Sequence, residues 1–153
     1  MTGCTLRAFG ADFDIDAFLN RSPLAAAVVL RRGLPLRPGA RFVARASCLA
    51  VAVSAAPTRA EQERDALLFV DGFADELDAL TAWPGVERAW LDFALPCRLG
   101  PEVAVQGEAF SAELVAALAR HRLGLEVSIC ERPALDPRAL LRAAVDRQPR
   151  GPG

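Results

Sequence analysis

The chain has 153 residues, 52% hydrophobic and 24% charged, which suits one packed domain and is too apolar for a disordered chain. Its 18 basic residues nearly cancel its 19 acidic ones, for a formal net charge of -1, which disfavours a nucleic-acid binder that draws its affinity from phosphates. No apolar run approaches the ~20 residues that span a bilayer, and residues 1–7 lack the basic-then-apolar order of a signal peptide, so a soluble, cytoplasmic protein without a membrane partner is expected.

Residues 4–9 alternate and predict a first strand. Asp14 has the position of an N-cap for a short helix over residues 15–20, with Phe13 and Phe18 at staple spacing. Pro23 ends it, and residues 26–32 form a second strand. Gly33, Pro35, Pro38 and Gly39 mark a turn. Residues 41–54, rich in Val and Ala, read as a long third strand with a bulge near Ser47 and Cys48.

The strongest periodicity predicts one helix over residues 59–82. Thr58 and Glu61 have capping-box spacing. Ala66, Val70, Phe73, Leu77 and Leu80 lay down an apolar stripe, which predicts that Val70, Phe73 and Leu77 are buried. Trp83, Pro84 and Gly85 close the element. A strand over 86–95 follows, then a short strand over 102–106. Ser111 caps a helix over 112–122, with Phe110 and Val115 at staple spacing, and residues 125–130 form a last strand.

Asp136 and Pro137 open an amphipathic helix to Arg147, ahead of a Pro- and Gly-rich tail. The division is a single domain over 1–132 and an accessory segment over 133–153. This order of elements predicts an α+β fold: an antiparallel or mixed sheet with helices on one face, a ferredoxin-like unit in its first six elements, and an extra C-terminal helix.

Several chemistries lose their footing. All 18 basic residues are Arg and Tyr is missing, so no Lys Schiff base or Tyr acid is available. Cys4, Cys48, Cys97 and Cys130 have no paired spacing for zinc or thioredoxin chemistry and read as structural thiols. Asp12, Asp14 and Asp16 alternate like a calcium loop, but Ala17 and Pro23 stand where such a loop needs Gly and Glu. His121 is the single His, near a helix C-terminus, where the helix dipole favours it. No nucleophile elbow, phosphate loop or dinucleotide fingerprint occurs. No catalytic residue, metal or cofactor is therefore expected.

The stretches Asp12 to Leu19, Arg31-Arg32-Gly33, Ser47 to Ser54, Asp65 to Phe69, Leu91-Asp92-Phe93, Phe110 to Leu118 and Leu125 to Cys130 together resemble a family of small bacterial proteins of uncharacterised role. The family is close to the domain of unknown function numbered forty-two seventy-nine. Ser128 fits the family's last strand, while Cys130 stands where a Tyr is expected. The resemblance implies an α+β fold and carries over no catalytic residues.

One cluster points to binding. If Leu91 and Phe93 face the helices, Arg88, Trp90 and Asp92 face away from them. Arg7, Glu126 and Ser128 share that open face by the same alternation, and Arg45 and Ser47 join it if the register of the third strand allows. Trp and Arg dominate binding hot spots. The expected function is a non-catalytic binding protein, immunity- or antitoxin-like, that holds a protein partner on an open sheet face. The alternatives are a small-molecule sensor or enzyme with its site between sheet and helices, and a homo-oligomer with a self-pairing patch.

Overall fold

The structure is a computed structural model that describes residues 2–37, 39–99 and 104–130. The fold is α+β. Five strands, β1 (Gly3–Gly10), β2 (Ala26–Leu30), β3 (Ser47–Ser54), β4 (Arg88–Pro96) and β5 (Gly124–Cys130), form one sheet in the order β2-β3-β1-β4-β5. The first four pair antiparallel, and β5 joins β4 in parallel, which makes the sheet mixed. The order and directions of β1 to β4 are those of the ferredoxin-like unit, and α4 (Ala112–Arg120) is the crossover that adds β5.

The other helices are α1 (Ile15–Leu19), α2 (Arg59–Gly72) and α3 (Ala74–Thr81). All four lie on one face. Leu6 of β1, Leu49 of β3, and Leu91 and Phe93 of β4 meet Phe18, Ala66, Val70, Leu77, Leu80, Leu114 and Leu118 in one buried cluster. The N-caps work as their residue types dictate. Asp14 Oδ1 accepts from the Ala17 N–H at 3.0 Å, and the Thr58 and Ser111 hydroxyls accept from the N–H groups of Glu61 and Leu114. Among the described residues no helix is long and apolar enough to cross a membrane.

Three expectations need correction. The helix over 59–82 is two helices. Phe73 leaves helical geometry at φ -120°, ψ 26°, directly after Gly72, whose freedom weakens a helix interior. The apolar stripe survives the break, so Val70 and Leu77 are buried while Phe73 is only half-buried against Phe69. The third strand begins at Ser47, because residues 41–46 belong to a hairpin arm closed by a Pro35–Val43 bridge. Residues 104–106 are not a strand. The expected helix over 136–147, and with it the accessory segment, lies outside the described residues.

Candidate functional site

The helix-free face of the sheet follows from strand alternation. Cys4, Leu6 and Ala8 of β1 turn to the helices, so Thr5, Arg7 and Phe9 turn away. The register places Arg7 opposite Trp90, Phe9 opposite Arg88, Asp92 opposite Glu126 and Ala94 opposite Ser128. Six of the eight residues expected to share this face therefore do: Arg7, Arg88, Trp90, Asp92, Glu126 and Ser128. Arg45 does not. It is exposed in the bend that precedes β3. Ser47 has the parity of Leu49 and Val51, toward the helices, and its hydroxyl accepts from the Arg32 N–H.

The face is not open at its centre. Arg7 and Asp92 are each 3% exposed and Trp90 is 5% exposed. Arg7 Nη2 lies 2.9 Å from Asp92 Oδ2. Arg7 Nε and Nη1, Asp92 Oδ1 and Trp90 Nε1 are buried without a hydrogen-bond partner. Burial pushes the Asp92 carboxyl above its ordinary value. The Arg7 charge and the Ser128 hydroxyl work against that rise, and the Glu126 charge adds to it. Groups left in this state are costly, since an unpaired buried donor keeps its full desolvation penalty of ~1–3 kcal/mol.

Around this centre the chemistry changes by degrees. Arg88 lies over the Trp90 ring, 4.5 Å from its centroid, and pairs with Glu126 at 3.2 Å. Phe9 meets the same ring edge-on at 5.9 Å. Beyond β1 an apolar strip runs across Cys48 and Ala50 to Val28 and Leu30, which are half-buried. Gly124 sits beside Trp90 in register, and a Cβ there would approach the Trp90 Cβ to 3.2 Å. Sequence reasoning missed Phe9, Val28 and Leu30 as part of this face. Phe9 was legible, because it lies two residues beyond Arg7 on the same strand.

The remaining candidates are accounted for by local structure. Arg32 pairs with Asp12, and Arg31 grips Asp16 with two hydrogen bonds, which holds that carboxyl below its ordinary value. His121 is buried as the C-cap of α4, and its Nδ1 lies 2.9 Å from Asp78 Oδ1. Burial pushes the Cys48 thiol up to about 11 and the Cys130 thiol upward, so neither is activated as a nucleophile. Among the described residues no group of His, Cys, Asp and Glu could hold a metal ion. No family model, curated protein or solved structure matches the chain.

Proposed function

We propose that this is a non-catalytic binding protein that holds a protein partner on the helix-free face of its sheet. The observation that carries the reading is the accessible rim of that face, where Arg88 lies over the Trp90 ring and Phe9 meets it edge-on beside the apolar strip of Val28 and Leu30. These rim residues supply the accessible contact. The Arg88 side chain is half exposed, and Phe9, Val28 and Leu30 are half-buried apolar neighbours. An aromatic and guanidinium centre inside a mixed rim is the usual anatomy of an interface. An immunity- or antitoxin-like role fits this arrangement by analogy.

Affinity capture with rim variants tests the proposal. Phe9→Ser and Arg88→Glu alter the accessible rim and leave the buried centre in place. A protein that forms a defined complex with the wild type, and is lost by rim variants with an unchanged melt, supports the reading. Equal binding by wild type and rim variants moves the binding surface elsewhere.

A further inference from the structure

Between β2 and β3 residues 31–37 and 39–46 leave the sheet as an arm. The hairpin is held by Ala44 N–H to Leu34 O at 2.9 Å and Gly33 N–H to Ala44 O at 2.8 Å. Gly33 and Gly39 take positive φ where it turns. Five of the 18 Arg lie in this stretch and no Asp or Glu does, so the rest of the chain carries 13 Arg against 19 acidic residues. Arg31 and Arg32 are spent on Asp16 and Asp12. Arg37, Arg41 and Arg45 are exposed and make no ion pair among the described residues. Phe42 is 78% exposed between them, with Leu34 and Val43 about half exposed. The arm is thus basic and apolar at once.

A surface of complementary chemistry lies on the helices. A groove of about 480 Å³ runs between α2 and α4, with Leu67, Val70 and Ala117 in its walls. Asp71 and Glu113 line it, exposed and in no ion pair among the described residues, against a single Arg120. Leu68 on the same groove is 67% exposed.

We propose that the arm of one copy docks in the α2–α4 groove of a second copy, with Phe42 on the apolar walls and Arg37 or Arg41 on Asp71 and Glu113. The contact is head to tail, so it closes into a ring or continues as a chain. It uses a different surface from the sheet face and does not depend on that reading. An extended polyanion is the poorer occupant. It would face the acidic remainder of the chain along with the arm, and it has nothing apolar for Leu34 and Val43.

Sedimentation of the full chain tests this. The wild type should self-associate, and the association should weaken as salt rises from about 50 mM to about 500 mM. Arg37→Glu with Arg41→Glu should weaken it at least about tenfold, and so should Asp71→Arg with Glu113→Arg, because each places like charges in contact. The two variants mixed should associate again, since an acidic arm then meets a basic groove. A monomeric wild type overturns the proposal, and arm-dependent binding of an RNA oligomer or anionic vesicles would then assign the arm to a polyanion. Either variant alone associating like the wild type, or a mixture that stays monomeric, overturns it as well.

Discussion

Arg7 and Asp92 pair diagonally between β1 and β4 at 2.9 Å, Arg7 standing opposite Trp90 and Asp92 opposite Thr5, with each side chain only 4% exposed. A buried pair of this kind is weak evidence for stability, because desolvating two charges offsets much of their attraction. Removing one partner is another matter. Arg7→Met strands the Asp92 carboxylate and should cost ~3–5 kcal/mol in urea unfolding, while Arg7→Met with Asp92→Leu should lie near the wild type. A double variant as unstable as the single one would show that the pair contributes more than charge balance.

Two carboxylates give the pH profile opposite slopes. Glu63 is worked on by burial, but the Ser111 hydroxyl and backbone N–H and the Arg59 guanidinium outweigh it and hold the carboxyl below its ordinary value. Its contribution is fully present above that ordinary value and is lost as pH falls through the folded one. The Asp92 carboxyl is raised, so its penalty is absent in acid and grows as pH rises from the ordinary value through the folded one. Glu63→Gln should flatten the acid limb of a stability profile. An acid limb identical to the wild type would remove Glu63 as the link between α2 and the start of α4.

β1 ends against the turn before β4 with no room for a side chain. A Cβ on Gly10 would lie 1.7 Å from the Gly85 carbonyl oxygen, and Gly85 itself holds φ at +84°. Gly10→Ala should cost at least the ~1–3 kcal/mol typical of overpacking. A denaturation midpoint that does not move would mean that this junction gives way freely.

Phe73 and Leu77 separate what periodicity gives from what it cannot. Both sit on the apolar stripe, but the break after Gly72 leaves Phe73 half-buried while Leu77 is fully buried. Leu77→Ala should cost ~2–5 kcal/mol, and Phe73→Ala less than the ~3–5 kcal/mol of a fully buried Phe. A Phe73→Ala cost in the full ~3–5 kcal/mol range would contradict the half-burial of Phe73.

The same contrast runs through the rest of the chain. Caps at Asp14, Thr58 and Ser111 were legible because one side chain serves an N–H two or three residues on. The helix-free face was legible because alternation is local, and it brought Arg7, Trp90, Asp92 and Glu126 together correctly. The burial of its centre was not legible, since solvent access depends on the whole assembly of elements. Arg45 was misplaced because Val and Ala before Ser47 look like strand, whereas the Gly33 and Gly39 turns carry them into the arm. A local charge count over residues 31–46 would have singled that arm out.

Trp90 reports on the binding face most directly. In a Trp83→Phe variant it is the remaining Trp, with Nε1 buried and lacking an acceptor. Titration with the captured partner should shift its emission through the change around Arg88 and Phe9 at its ring, and Arg88→Glu should abolish the shift. A complex that forms fully while Trp90 emission stays that of the free protein would contradict the sheet face as the site.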